Sequence, residues 1–249
     1  MKSLKIAFGL VVVAGLMAVV VSPAMAAGPI WVTCEKSTTG KWMPGTCTEK
    51  GSGWETVAVT ETREVTSSSV GLLLTDKSTK LGEASVECSG TDEGTIGAKG
   101  SNSARRVTAE KCVKVKEGGC KTLMRVEARN LPWSTLLVER ENANKEKEVR
   151  NRLTSLVAGQ NPGWSVECNT LLGVKTDVCT GITTTAVRDN RALGRVEGIF
   201  DEIGEKNEPA SCTEGNATSG TVSGTVVNSL RNARGELQSF WLLAEALKT

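Results

Sequence analysis

The sequence predicts an all-β protein built of antiparallel, sandwich or barrel-like sheets with short strands, braced by disulfide bonds. Three observations support this fold class. Short segments rich in Val and Thr alternate polar with apolar residues, which is typical of half-buried strands. Clusters of glycine and Asx residues separate these segments about every ten residues, as in sandwiches and barrels. The chain also has eight cysteines, an even number that suits a disulfide framework.

The first 26 residues have the pattern of a secretory signal peptide. Lys2 and Lys5 precede the uncharged apolar run 6–21, and Ala24-Met25-Ala26 forms a small-x-small cleavage site. Because the run is shorter than the roughly 20 residues that a membrane anchor needs, we expect a signal helix that is removed after Ala26. Residues 27–249 are then predicted to form a soluble product, secreted or extracytoplasmic, with no membrane partner after signal removal.

Individual strands are predicted with different clarity along the mature chain. Residues 56–62, 165–168 and 195–201 alternate with period two. The highly charged residues 139–152 fit a solvated helix or a hairpin, and the flanking strand patterns favour a hairpin that turns at Asn142-Ala143-Asn144. Residues 236–248 fit a helix or a strand equally well. We expect one secreted all-β domain over 27–249, with two lobes meeting near 141–163 as the alternative.

The glycine-rich segment Gly90 to Gly100 is predicted to form turns. It is not a phosphate-binding loop, because it lacks the Gly-Lys-Ser/Thr ending and no helical pattern follows it.

The cysteines are expected to pair with one another and not to bind metal. No two are spaced C-x2-C and the chain has no histidine, so the usual zinc ligand sets are missing. Sequence does not fix the connectivity. Short separations across turn residues nonetheless favour three bonds and leave a fourth by elimination: Cys34–Cys47, Cys112–Cys120, Cys168–Cys179 and Cys88–Cys212.

The absence of histidine also limits the chemistry available. Ser-His-Asp and Cys-His hydrolases are excluded because they need an imidazole base. We expect no cofactor and no metal. Carboxylates are the remaining candidates for acid–base work on glycans, namely Asp76, Asp177, Asp189 and Asp201. A nucleic-acid partner is not expected, because Lys2 and Lys5 account for the small excess of 30 basic over 28 acidic residues.

Six tryptophans stand in a chain without tyrosine. Large rings are needed to fill a β core that has few other aromatic residues, so a core position is the default for each tryptophan. Trp42 and Trp133 are exceptions because they lie beside prolines in turn-like contexts. They are predicted as candidate ligand contacts, where an exposed ring would stack on a sugar or dock a partner.

Several segments together resemble a known group of proteins. They are the Leu131-Pro132-Trp133 segment, Pro162-Gly163-Trp164 leading to Cys168, and the segment around Cys179, preceded by Cys112 and Cys120. Their order resembles an uncharacterised family of secreted, cysteine-paired all-β bacterial proteins, found in many paralogous copies in some soil bacteria. The resemblance implies a bacterial secreted protein. It brings no known activity, so no functional residues are carried over.

The function expected from sequence is non-catalytic, with a structural or binding role outside the cytoplasm and a glycan or an envelope protein as partner. Two alternatives stay open. A carbohydrate-binding module would show at least two coplanar exposed tryptophans, whereas a carboxylate-dependent enzyme acting on glycans would show a cleft that holds two acids.

Overall fold

The computed structural model describes residues 28–80, 82–141, 144–200, 210–215, 219–232 and 234–244. Within these residues every strand pairing is antiparallel, and the helical elements are two 3-10 turns, so the all-β prediction is confirmed. The predicted signal helix and its cleavage site lie outside the described residues. The strands are β1 (Ile30–Lys36), β2 (Trp54–Ala58), β3 (Arg63–Thr79), β4 (Gly82–Ile96), β5 (Ser101–Glu117), β6 (Thr122–Arg129), β7 (Trp133–Glu141), β8 (Lys147–Ser155), β9 (Gly163–Thr170), β10 (Gly173–Thr180), β11 (Thr184–Asn190), β12 (Arg195–Phe200), β13 (Ser211–Cys212), β14 (Gly220–Arg231), β15 (Leu237–Gln238) and β16 (Phe240–Leu243).

Eight strands close into a barrel. Neighbours pair in the order β12, β11, β8, β7, β5, β4, β3 and β14, and β14 pairs back with β12. Closure leaves no free sheet edge in this part of the molecule. Because side chains alternate along each strand, one residue in two points inward and builds the barrel core. This core contains Val65, Ile96, Leu137, Val196 and Leu230.

A small sheet in the order β16-β1-β2 covers one end of the barrel. Trp31 and Phe240 reach from this sheet into the barrel core, with their ring centroids 5.8 Å apart. The indole Nε1 of Trp31 donates a hydrogen bond to the carbonyl of Ser101 at 3.0 Å. The described part of 236–248 therefore forms strands β15 and β16 and not a helix, and this places the Phe240 ring in the core at the end of the barrel.

Four strands run on beyond the other end of the barrel. There β3, β4, β5 and β14 form one wall of a second lobe, and a sheet in the order β13-β10-β9-β6 forms the other. The prediction of short strands is wrong for these four, which have 17, 15, 17 and 12 residues. Bulges bend β3 and β14 where they pass between the lobes. Gly71 and Gly224 occupy these bends with φ of 74° and 129°.

The two lobes thus share continuous strands, and the alternative of two lobes that meet near 141–163 stays a prediction. Those residues belong largely to the barrel, where β7 and β8 pair from Trp133↔Ser155 to Glu141↔Lys147. This pairing confirms the predicted hairpin over 139–152. Asn142 and Ala143 of its turn lie outside the described residues.

The turn prediction for the Gly90 to Gly100 segment is wrong over 90–96, which belong to β4. Gly94 shows the reason. A Cβ at this position would overlap the backbone of Ser103 on β5, so the glycine serves close strand contact and not a turn.

The structure forms four disulfides, of which Cys34–Cys47 has the predicted partners. The predicted pairs Cys112–Cys120, Cys168–Cys179 and Cys88–Cys212 are wrong. The bonds are instead Cys88–Cys112, Cys120–Cys168 and Cys179–Cys212.

The strand register decides this pairing. Cys179 lies opposite Cys212 in the β10–β13 ladder, with 4.0 Å between their Cα atoms. Lys175, not Cys179, lies opposite Cys168. Cys112 sits well inside β5, which continues to Glu117, so the strand carries it away from the turn that holds Cys120.

Peptide mapping of the unreduced protein tests this connectivity. We expect crosslinked peptides that join Cys88 to Cys112, Cys120 to Cys168 and Cys179 to Cys212, and we expect all of them to separate in a reduced control digest. A peptide pair that joins Cys112 to Cys120 contradicts the described register.

Asp92 is a largely buried acid at the end of the barrel that faces the second lobe. It lies opposite Ser67 in the β3–β4 ladder. Burial raises the pKa of Asp92 to about 6. A raised pKa in the folded state means that the ionised carboxylate destabilises the fold above about pH 6. This destabilisation fades as the pH falls toward the ordinary carboxyl range.

We therefore predict that Asp92→Asn stabilises the protein at pH 8 by about 1–3 kcal/mol, with little gain at pH 4. Urea unfolding at both pH values measures the difference. Glu110→Gln, on the exposed surface of β5, serves as the control and should change stability little at either pH. An equal effect of Asp92→Asn at both pH values contradicts the prediction.

Candidate ligand-binding cleft

A cleft of about 310 Å³ lies between the two sheets of the second lobe. Its inner walls are apolar: Leu74 and Val86 come from β3 and β4, and Trp164 and Val166 face them from β9. The volume is at the lower end of the range of about 300–1,000 Å³ that is typical of small-molecule sites. The cleft is thus large enough for a small ligand.

Strand alternation explains why these side chains share the cleft. On β9, Trp164, Val166 and Cys168 are separated by one residue each and point to the same face. Their partners on β10 in the antiparallel ladder are Cys179, Asp177 and Lys175. Cleft-facing positions therefore become more polar toward the end of the β9–β10 hairpin.

Four lysines line the cleft near its mouth: Lys80, Lys114, Lys116 and Lys175. Lys114 Nζ donates to the carbonyl oxygen of Cys120 at 2.7 Å, and Lys116 Nζ lies 2.5 Å from a Glu83 carboxylate oxygen. Among the described residues, no acidic oxygen lies within 4.0 Å of the ammonium group of Lys80 or Lys175. The mouth therefore presents two lysines without an acidic partner.

A smaller cavity of about 130 Å³ lies beside the cleft, on the side of the barrel. Leu74 and Trp164 line both spaces, so these two side chains lie where the cleft and the cavity adjoin. Much of the wall of the inner cavity is apolar, with Trp133, Ile182 and Phe200 among its residues. The cleft and this cavity lie side by side between the lysines at the surface and the junction of the two lobes.

Two carboxyl groups meet at one side of the cleft. Asp76 is only 4% exposed, and its Oδ1 accepts the backbone N–H of Ser78 at 3.0 Å. Asp177 Oδ1 accepts the N–H of Glu214 at 3.1 Å and the hydroxyl of Thr213 at 3.2 Å. These contacts hold both carboxyl groups in fixed orientations across the two sheets.

Asp76 and Asp177 interact directly. Burial, followed by the negative charge of the neighbouring Asp76, raises the pKa of Asp177. No N–H or O–H donor among the described residues reaches Asp76 Oδ2. A proton on Asp177 removes one of the two neighbouring negative charges. It also supplies an O–H group that can donate a hydrogen bond to Asp76 Oδ2.

The described residues contain one group of potential metal ligands, Asp177 with Cys179 and Cys212, whose ligand atoms lie within 4.8 Å of one another. Both cysteines belong to one disulfide, so neither can offer a thiolate. This group is therefore not a metal centre.

The predicted ligand-contact tryptophans are not exposed. Trp133 is 9% exposed and its Nε1 donates to the carbonyl of Arg129 at 2.8 Å, so the prediction of an exposed ring is wrong. The cis Leu131-Pro132 bond turns the chain just before it. Trp42 is half-buried and packs against the cluster around the Cys34–Cys47 disulfide.

The candidate carboxylates separate into three groups. The structure brings Asp76 and Asp177 together in the cleft. Asp189 lies at the other end of the barrel, where its Oδ1 accepts the N–H of Leu242 at 2.9 Å and thereby anchors β16. Asp201 lies outside the described residues.

The core position expected for Trp164 is confirmed, since this residue is 5% exposed, but the sequence did not predict that the ring also lines the cleft. The alternation Trp164, Val166, Cys168 indicates a common face, but it cannot show that the facing sheet leaves space there.

A wider groove of about 590 Å³ lies between β5 and β6. These strands follow each other along the chain without pairing, and the groove is lined by Lys111, Arg125 and Glu127 besides apolar residues. It is open and lacks the apolar depth of the cleft, so the cleft is the better candidate site.

Comparison with known protein families, curated proteins and solved structures finds no match to this chain. The geometry of the cleft is therefore the basis for a functional proposal, and the resemblance noted from the sequence stays a prediction.

The carboxyl pair makes stability depend on pH. Because the folded state raises the pKa of Asp177, the ionised pair destabilises the protein at alkaline pH, and this effect is lost as the pH falls through the folded pKa. We predict that Asp177→Asn is more stable than the wild type at pH 8 and that the difference shrinks toward pH 4. Thermal unfolding across this range measures it, with Glu167→Gln on β9 as the control. Parallel pH profiles for the wild type and Asp177→Asn would contradict the prediction.

Proposed function

We propose that this chain is an exported, non-catalytic binding protein whose cleft takes an elongated apolar ligand with an anionic end, such as an amphiphile with an acyl chain. One observation carries the proposal. An apolar cleft has at its mouth two lysines for which the described residues show no acidic partner, and a second, largely apolar cavity adjoins it on the side of the barrel.

The walls suit an acyl chain. Leu74, Val86 and Val166 offer aliphatic surface, and the ring of Trp164 offers a flat apolar face. Each methylene group that leaves water for such a site contributes about 0.8 kcal/mol to binding. Lys80 and Lys175 at the mouth complement a carboxylate or phosphate head, whereas a cationic head would be repelled.

Three disulfides hold the walls of the cleft in place. Cys88–Cys112 joins β4 to β5 in one wall, Cys179–Cys212 joins β10 to β13 in the other, and Cys120–Cys168 ties the turn after β5 to β9 across the two walls. A site that is rigid before binding loses less entropy when the ligand enters. The covalent framework thus supports a binding role.

Four disulfides indicate an oxidising, extracytoplasmic compartment. In the part of the chain that the structure describes, no helix is both long and apolar enough to cross a membrane.

Export with cleavage after Ala26 belongs to the proposal, and N-terminal sequencing of the released protein should begin at Ala27. Recovery of the intact N-terminus on released protein would contradict it.

A series of ligands with equal chain length tests the site. Decanoate, decanol and decylamine are titrated into the oxidised mature protein and followed by calorimetry and tryptophan fluorescence. We expect decanoate to bind most tightly, decanol more weakly and decylamine most weakly, because only the head group changes. Absence of saturable binding by all three overturns the proposal, and equal affinities refute the role of the lysines.

Two matched variants locate the binding site. Val166→Trp fills the cleft and should weaken decanoate binding at least tenfold. Val174→Trp adds the same ring on β10, but at a side chain that is 56% exposed and does not line the cleft, so decanoate binding should persist. Peptide mapping of the disulfides checks that both variants fold. Equal affinities of the two variants would place the ligand elsewhere.

Carboxylate-dependent chemistry is the second candidate, because Asp76 and Asp177 share the cleft. The charge of Asp76 contributes to the raised pKa of Asp177, which indicates two carboxyl groups close enough to influence each other, as acid–base chemistry requires. Assays on glycan and peptide panels with the wild type, Asp76→Asn and Asp177→Asn decide between the two roles. Turnover that either substitution abolishes, with the fold retained, would establish catalysis.

A carbohydrate-binding surface made of exposed tryptophans has no comparable support, since none of the six tryptophans is exposed.

A further inference from the structure

The turn between β9 and β10 presents two leucines to solvent. Leu171 is 81% exposed and Leu172 is 86% exposed. Thr170 holds this turn in shape, because its hydroxyl donates to the carbonyl of Gly173 at 2.8 Å and accepts the N–H of Leu172 at 3.1 Å. We call Leu171 and Leu172 the leucine tip. An apolar pair on a hydrogen-bonded turn is poised to contact another apolar phase.

Basic residues surround the leucine tip. Lys175 follows it on β10, and Lys80 shares the wall of the cleft mouth with Leu172. The turn after β5 lies alongside, since the N–H of Lys121 donates to the carbonyl of Asn169 at 2.9 Å. Among the described residues, Lys121, like Lys80 and Lys175, has no acidic oxygen within 4.0 Å. Exposed leucines with unpaired lysines match the interface of an anionic bilayer, where apolar groups insert and cations meet head groups.

We propose that the leucine tip docks this protein on the surface of a bilayer that contains anionic lipids. Leu172 also lines the cleft, so docking sets the mouth of the cleft against the lipid head groups. The docking contact stands by itself, and the idea that lipid then enters the cleft rests on the proposed function. This departs from the expectation from sequence, which was that the mature chain has no membrane partner.

A second copy of the chain is a poorer occupant of this surface. Two copies that meet at the leucine tip would bring their unpaired lysines together, and like charges oppose association. The apolar area of two leucines per chain is also far below the roughly 800 Å² per partner of a stable interface.

Vesicle flotation tests the proposal. The oxidised mature protein is mixed with vesicles of phosphatidylcholine alone or of phosphatidylcholine with phosphatidylglycerol. We expect the protein to float with the anionic vesicles and to stay behind with the neutral ones. The double variant Leu171→Ser/Leu172→Ser should lose at least tenfold in binding. The matched control, Leu156→Ser/Val157→Ser, changes an adjacent pair that is 62% and 42% exposed at another turn and should bind as the wild type does.

The outcomes separate docking from ligand binding. Undiminished flotation of the leucine-tip variant, or no flotation of the wild type, overturns the docking proposal. Self-association that the same variant abolishes, without vesicle binding, assigns the tip to a second copy and also overturns it. Titration with free decanoate measures ligand binding in the cleft independently of vesicle binding. Flotation without decanoate binding supports docking and refutes the proposed ligand. Decanoate binding without flotation supports the proposed ligand and refutes docking.

Discussion

Strands β14, β3, β4 and β5 form one continuous hydrogen-bonded ladder that both the barrel and the second lobe share. These strands close the barrel at one end and form a wall of the cleft at the other. Backbone hydrogen bonds fix their register along the whole length, apart from the bulges. The bends at Gly71 and Gly224 let one set of strands serve two cores, so the position of the cleft follows from the barrel.

The second sheet gains its position from covalent bonds as well as from packing. Trp164, Cys179 and Cys212 lie in one apolar cluster with Val222 of β14, which joins the sheet to the shared wall. At the opposite side, the Cys120–Cys168 bond holds the turn after β5 against β9 although β5 and β6 do not pair. Small sheets with few apolar residues need such crosslinks, because hydrophobic burial alone gives them a narrow margin of stability.

The cleft combines groups that a core would normally exclude. Lysines and two interacting carboxyl groups border an apolar space, and burial raises the pKa of Asp177. A buried like-charge pair is destabilising unless it holds a proton or meets a partner. Retention of such a pair beside an apolar cleft is characteristic of sites that bind or react, and this distinguishes the cleft from the hydrophobic barrel core.

Local patterns and composition were enough to predict the all-β class, the hairpin over 139–152, a covalent framework of cysteines and the exclusion of histidine-based chemistry. These follow from local alternation, from turn residues and from composition, which act over a few neighbours. Tertiary structure alone decided the partners of Cys88, Cys120 and Cys179, the burial of Trp133 and the meeting of Asp76 with Asp177. Each depends on which strands lie side by side and in what register, and that is set by packing between segments far apart in the chain.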